Sequence, residues 1–274
     1  MPFSPNIAPA LTFAEVDKSP LSIRAKALVF VDPRSRQLRE RAEALAPGNQ
    51  ALLIRGETGT GKELLARYIH RHSERGGLFV AVSSGAISPQ WGEAELFGHV
   101  AGAHVGGASS RAGWFGSANG GTLYLDEIAD LPRPLQGKLL AALETRELYR
   151  VGAGQALPVD VRLVAASSID LARAVAAGTF DERLYAYLGD GLLELPALRQ
   201  RVGDILPLAE YFLGSHAQRL GLAIPPISPA AQSVLEAHSW PGNTRELENV
   251  IHFALLLAGS AEIGPQHLQL PGIS

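Results

Sequence analysis

The stretch Leu52-Leu53-Ile54-Arg55-Gly56-Glu57-Thr58-Gly59-Thr60-Gly61-Lys62-Glu63 limits what this chain can fold into more than any other. A short apolar run enters a turn with three glycines and leaves through a lysine. The pattern G-x-x-x-x-G-K is that of a phosphate-cradling loop. Gly56, Gly59 and Gly61 permit backbone angles that a β-carbon blocks, so successive N–H groups can face one anion. A helix starting at the lysine adds its positive end. Lys62 adds a point charge for β- and γ-phosphates. Gly56, Glu57, Thr58, Gly59, Thr60, Gly61, Lys62 and Glu63 are therefore candidate nucleotide contacts. The pattern usually closes on Ser or Thr, which helps to hold Mg²⁺. Here that place is Glu63, so the metal needs another carboxylate. A glycine turn with a chance lysine is the plainer alternative, and it weakens only if a second motif is present.

That second motif is Thr122-Leu123-Tyr124-Leu125-Asp126-Glu127. A continuous apolar strand ending in two acids fits a parallel strand buried on both faces. Ligands bind beyond the C-terminal ends of such strands. Asp126 is the candidate Mg²⁺ ligand. Glu127 is the candidate group that orients and deprotonates an attacking water, because phosphoryl transfer needs positioning and charge neutralisation. Lys62, Asp126 and Glu127 form the candidate catalytic set, with ATP and Mg²⁺ as cofactors. Residues 159–166 read as another buried strand ending at Ser167-Ser168. Ser168 is placed to sense a γ-phosphate, or it belongs to a simple turn.

The 274 residues are 46% hydrophobic and 19% charged, with a formal net charge of −3 and no cysteine. That composition is globular. It has no overall basic signature of nucleic-acid binding. Disulfides, zinc–cysteine sites and thiol chemistry are excluded. No apolar run is long enough to span a bilayer, and there is no signal-peptide pattern. The expected setting is soluble and cytoplasmic, with no membrane partner.

Read in order, residues 1–27 form a proline-bearing leader, residues 28–196 an α/β nucleotide-binding domain and residues 197–274 a helical domain. Residues 28–31 read as a short strand and 33–46 as a helix. The helix after the glycine loop should turn Leu64, Leu65, Tyr68, Ile69 and His72 inward. Residues 79–82 read as a strand. Residues 98–108 are glycine-rich without core periodicity, which fits either a functional loop or a plain surface loop. Residues 132–144 read as an amphipathic helix with Leu135, Leu139, Leu140 and Leu143 on one face. Beyond residue 197 the pattern is helical only. One helix covers 204–220, and a second is capped by Ser228-Pro229. A third opens at Asn243-Thr244-Arg245-Glu246, which reads as a capping box, with Leu247, Val250, Ile251 and Ala254 inward.

Five stretches together resemble the central AAA+ ATPase domain of bacterial enhancer-binding proteins, the activators of sigma-54 RNA polymerase. They are the glycine loop, Glu95-Leu96-Phe97-Gly98-His99, the run Gly120 to Ile128, Leu195-Pro196-Ala197-Leu198-Arg199-Gln200-Arg201, and Trp240-Pro241-Gly242-Asn243-Thr244-Arg245-Glu246-Leu247. The resemblance spans residues 28–270. It implies a parallel sheet flanked by helices, followed by a small helical lid. It also implies ATP and Mg²⁺ as cofactors, a ring of copies of this chain or of a paralogous activator, and Arg245 as the lid arginine that reaches the nucleotide.

The departures from the family pattern carry expectations too. The family's GAFTGA loop, which touches sigma-54, corresponds to Gly102-Ala103-His104-Val105-Gly106-Gly107. His104 is not apolar and Val105 lacks a hydroxyl, so direct sigma-54 contact is not implied. The family's FRxDLYYRL, with two arginine fingers, is Phe180-Asp181-Glu182-Arg183-Leu184-Tyr185-Ala186-Tyr187-Leu188. Asp181 and Tyr187 have lost the charge. Arg183 is the candidate replacement, although a two-residue shift turns it to another helix face. A finger is worth ~10³–10⁵ in rate, so impaired hydrolysis is expected. An asparagine that restrains the family's catalytic glutamate is Ser83 here, and the family's Thr-Asn is Ser167-Ser168. The family's flanking regulatory and DNA-reading domains have no counterpart in the sequence. This leaves open an excised piece or a minimal protein. The alternative function is a nucleotide-binding, hydrolysis-poor regulatory module that assembles with another activator.

Overall fold

The computed structural model describes residues 11–13, 27–103 and 109–270. Its residues cluster into two compact units. One holds residues 41–56 and 65–194; the other holds 1–40, 57–64 and 195–274.

The first unit is built on five parallel strands. In chain order β1 (Leu11–Phe13) and β2 (Ala27–Val29) pair antiparallel outside this sheet. The sheet itself contains β3 (Leu52–Arg55), β4 (Phe79–Ser83), β5 (Thr122–Asp126), β8 (Arg162–Ser167) and β9 (Leu192–Glu194), in the order β4-β5-β8-β3-β9. A further small pair, β6 (Glu147–Leu148) and β7 (Leu157–Pro158), is antiparallel. The register aligns Ser83 with Asp126, and Arg55 with both Ser167 and Glu194. All five strands therefore end along one edge.

Both sheet faces are covered, which explains the unbroken apolar strands. Leu53, Leu123, Leu125, Leu163 and Ala165 pack against Leu135, Leu139, Leu140 and Leu143 of α5 (Arg133–Thr145). The same core takes in α3 (Gly92–Phe97), α4 (Gly113–Ser117), α6 (Leu171–Ala176) and α7 (Glu182–Gly189). Alternation puts the buried Leu52, Ile54, Tyr124, Val164 and Ala166 on the other face. There the second half of α2 (Lys62–Arg71) meets the sheet: His70 Nδ1 lies 2.9 Å from the Thr122 hydroxyl, and the His70 and Phe79 rings are 5.5 Å apart. Arg162, buried inside the sheet, donates to the carbonyls of Leu45, Ala46 and Gln50 at the end of α1 (Pro33–Leu45). Desolvation lowers its pKa to about 10, with Arg75 adding to the effect.

The second unit packs α8 (Ile205–Leu220), α9 (Pro229–Ala237) and α10 (Asn243–Ala258) around Phe212, Leu235, Trp240, Leu247 and Ile251. The Trp240 indole N–H donates to the Leu235 carbonyl at 2.8 Å, so this large ring is buried with its one polar atom satisfied. Ser228 accepts the Ala231 N–H at 3.2 Å and caps α9. Asp204 is fully buried at the head of α8.

Some local expectations change. A strand, Leu11–Phe13, lies within the segment read as a leader. His72 is exposed and lies beyond the end of α2, its ring 4.1 Å from that of Tyr68. Asp204 precedes its helix instead of starting it. The capping box at Asn243 does not form. Gly242 is the N-cap, its N–H donates to Glu246 Oε2 at 2.7 Å, and the Asn243 amide is engaged elsewhere. Among the described residues no helix is long and apolar enough to cross a membrane.

Candidate functional site

The candidate residues fall on both units, and each part has its own local logic. In the helical unit, the glycine loop ends where α2 begins, at Lys62. Gly59 and Gly61 have φ of +81° and +102°, angles that L side chains resist. Thr60 closes the turn by donating its hydroxyl to the Glu57 carbonyl at 2.7 Å. Lys62 is only 6% exposed, and its Nζ lies 3.4 Å from the same carbonyl. Glu63 occupies the first turn of α2.

Other residues of the same unit bind this loop. The Thr244 N–H donates to the Gly59 carbonyl at 3.1 Å, and the Thr244 hydroxyl donates to it as well. Asn243 Nδ2 lies 3.1 Å from both the Thr58 carbonyl and Glu57 Oε2. Its Oδ1 accepts the Leu198 N–H at 2.8 Å. Arg201 donates to the Thr60 carbonyl at 2.9 Å. The glycine at 59 is required on a second count, since a β-carbon there would sit 2.4 Å from the Gly242 carbonyl oxygen. Arg245 follows Thr244 on α10 and is exposed.

Glu57 itself is gripped by Arg199. Nη1 lies 2.9 Å from Oε2 and Nη2 lies 2.5 Å from Oε1, a bidentate pair. The Arg199 hydrogen bond, then that from Asn243, holds the Glu57 carboxyl below its ordinary value, and Glu57 in turn raises Arg199. Sequence spacing gave no sign of this pairing, because the partners lie 142 positions apart.

In the sheet unit, β5 delivers Asp126 and Glu127 to the edge where the strands end. The Tyr124 hydroxyl donates to Asp126 Oδ1 at 2.8 Å. Glu127 adopts φ 48°, ψ 61°, a left-handed conformation rare for a residue with a side chain. Ser168, directly after β8, gives two donors to Glu127 Oε2: its N–H at 2.8 Å and its hydroxyl at 2.9 Å. Ser167 turns its hydroxyl to the Ile169 carbonyl instead. Ser83 ends β4 and makes no side-chain cap to the turn after it.

Residues 180–188 hold the positions where the family resemblance implies arginine fingers. Asp181 is the N-cap of α7 and accepts the Leu184 N–H at 3.0 Å. Tyr187 is half-buried against the sheet core, and burial raises its hydroxyl pKa. Arg183 is mostly exposed and pairs with Glu144 at 3.1 Å. In the partner-loop candidate, the base is closed by backbone bonds between His99 and Arg111, at 3.1 and 2.9 Å. Gly102 and Ala103 follow that base. His104, Val105, Gly106 and Gly107 lie outside the described residues.

Residues 28–193 match the sigma-54 interaction domain family, and residues 199–271 match the AAA+ ATPase lid domain. The chain is 51% identical to the sigma54-dependent transcriptional activator SfnR of Pseudomonas putida, over 92% of this chain and 69% of that protein. NtrX of Brucella abortus, solved with ADP, superposes with a TM-score of 0.80 at 38% identity, covering 88% of this chain and 54% of that one. The same protein solved with ATP gives a TM-score of 0.78 and 56% of its chain. The chain thus spans just over half the length of those solved chains.

Proposed function

The chain belongs to the sigma-54 interaction domain family of AAA+ ATPases, and from that premise we propose that it binds ATP with Mg²⁺ and uses the nucleotide to control RNA polymerase. Residues Gly56 to Glu63 bind the phosphates, with Lys62 neutralising the terminal ones. Asp126 would hold Mg²⁺, a hard cation that prefers carboxylate oxygen and would neutralise phosphate charge. Glu127 orients and deprotonates the attacking water. Ser168 and Arg245 respond to the nucleotide. The observation that carries this reading is the loop itself. Two glycines are in backbone conformations suited to anion cradling, and a buried lysine follows at the start of a helix.

The working form is a ring of this chain or of this chain with a paralogous activator. A specific observation favours slow turnover in a ring of identical copies. At the two places where the family resemblance implies fingers, Asp181 caps a helix and Tyr187 packs on the core. Neither can stabilise charge on a neighbour's phosphate. The hydrolysis-poor regulatory module is therefore the second reading, with sigma-54 contact left to a partner in the ring.

ATP hydrolysis measured against protein concentration tests both, with Glu127→Ala as the inactive control. Turnover that rises with concentration supports a self-sufficient ring. ATP binding without turnover supports the regulatory module. Lys62→Ala is expected to abolish ATP binding, and unchanged affinity in that variant would remove the phosphate-loop assignment.

A further inference from the structure

We infer that Arg199 is a positioning residue for nucleotide binding: seated with Asn243, it neutralises the Glu57 carboxylate and draws it away from the phosphate cradle. This rests on the proposal that residues 56–63 bind a nucleotide.

The problem it solves is electrostatic. Glu57 is the first residue after Gly56 in a loop whose N–H groups serve to attract an anion. An unpaired carboxylate there would compete for those donors and repel a polyphosphate carrying several negative charges. The bidentate guanidinium occupies both carboxylate oxygens, at 2.9 and 2.5 Å. Asn243 adds a third donor to Oε2, at 3.1 Å, and binds the next carbonyl of the loop, that of Thr58. Both carboxylate oxygens of Glu57 thus accept from Arg199, and Oε2 from Asn243 as well, so its charge is compensated before a ligand arrives.

Arg199 is itself well seated. It lies in a tight turn, Leu198–Gln200, that is fixed at both ends. The Leu198 N–H donates to Asn243 Oδ1 at 2.8 Å, and Gln200 Oε1 accepts the Ala197 N–H at 3.1 Å. The adjacent Arg201 reaches the loop independently through the Thr60 carbonyl. The loop therefore has other tethers, and the particular contribution of Arg199 is charge. As a stabiliser of the fold the pair counts for little, because both side chains are over 40% exposed, at 43% and 44%.

A purely mechanical tether and a charge neutraliser make opposite forecasts for one double variant. ADP affinity in the presence of Mg²⁺ is measured by calorimetry for the full chain and for Arg199→Ala, Glu57→Gln and the two combined. Arg199→Ala is expected to weaken ADP about tenfold, because it leaves an uncompensated carboxylate beside the phosphates. Glu57→Gln, which removes the charge and keeps the loop's backbone N–H, sets the reference for the combined variant. The combined variant is expected to bind within about threefold of Glu57→Gln, since the charge to be neutralised has gone. A combined variant as weak as Arg199→Ala would overturn the inference, because only a lost tether gives that result. Unchanged affinity in Arg199→Ala would overturn it as well. Should Arg199→Ala fail to fold, Arg199→Gln with and without Glu57→Gln makes the same comparison. Absence of ADP binding by the parent chain would instead remove the nucleotide-binding proposal itself.

Discussion

Ser168 donates both its backbone N–H and its hydroxyl to one oxygen of Glu127, at 2.8 and 2.9 Å. The strand order explains the meeting. β5 and β8 are parallel neighbours, so the residues that follow their C-terminal ends emerge side by side. Glu127 has a left-handed backbone there, and its carboxylate meets Ser168. If Glu127 is the water-activating group, Ser168 fixes its aim. Ser168→Ala removes one of the two donors, and a hydrogen bond to a charged group is worth ~1.5–3 kcal/mol. The expected result is turnover about tenfold lower with ATP affinity within about twofold of the parent, read from steady-state hydrolysis and equilibrium titration. Weaker ATP binding with unchanged turnover would assign Ser168 to the phosphate instead.

Much of this site was legible in the sequence because its chemistry is local. The glycine loop, the strand ending in Asp126-Glu127 and the apolar faces of α5 and α10 follow from spacing alone. What was hidden depends on long-range pairing. Arg199 reads only as one member of the stretch Leu195 to Arg201 until the fold brings it to Glu57. Asn243 looks like a helix cap because Asn before Thr-Arg-Glu fits that pattern. Its amide instead joins Leu198, Glu57 and Thr58, and Gly242 takes the capping position. His72 fits the helical spacing of α2, but the helix ends one residue before it.

The buried Asp204 is a polar anchor of the helical unit. Its Oδ1 accepts the N–H groups of Val31 and Asp32, each at 2.8 Å, while Oδ2 takes the Ser35 hydroxyl and lies 3.5 Å from Arg201. Asp204→Ala leaves a buried guanidinium and two backbone donors without their acceptor. Breaking such a buried pair costs ~3–5 kcal/mol. Urea denaturation should show an unfolding free energy lower by that amount. A loss under ~1 kcal/mol would mean that water replaces the carboxylate.

The pair His216 and His252, on α8 and α10, is expected to make the helical unit sensitive to acid. Their Nδ1 atoms are 3.0 Å apart, so only one can carry the shared proton. Arg219 lies 3.2 Å from His216 Nδ1, and Glu248 lies 3.8 Å from its Nε2. Burial first, then the charges of His252 and Arg219, lower the His216 pKa from 6.5 to about 4. The unfolded chain therefore binds more protons than the folded one between those values, and stability falls as pH drops through that window. The contribution is fully present above the unfolded pKa. About 2 kcal/mol of it should be lost between pH 8 and pH 5. Denaturation at the two pH values reads the loss, and His216→Phe should flatten this part of the profile.

Arg183 is the only basic residue in the segment Phe180 to Leu188, so any finger supplied by that segment must be this one. In the isolated chain it is 75% exposed and paired with Glu144. An exposed pair of this kind adds at most ~1 kcal/mol to stability. Arg183→Ala should therefore leave the denaturation midpoint almost unchanged. Its effect on turnover should be far larger: whatever concentration-dependent hydrolysis the chain shows is expected to fall by ~10³-fold, the lower range for a lost finger. Glu144→Ala releases the guanidinium from its partner and should raise turnover modestly at the same protein concentration. If Arg183→Ala hydrolyses ATP as fast as the parent, the transition-state cation comes from another segment or another chain. Mixing the chain with a fuller activator then becomes the decisive assay, because a paralogue that supplies its own arginines should raise hydrolysis above the sum of the two separate rates.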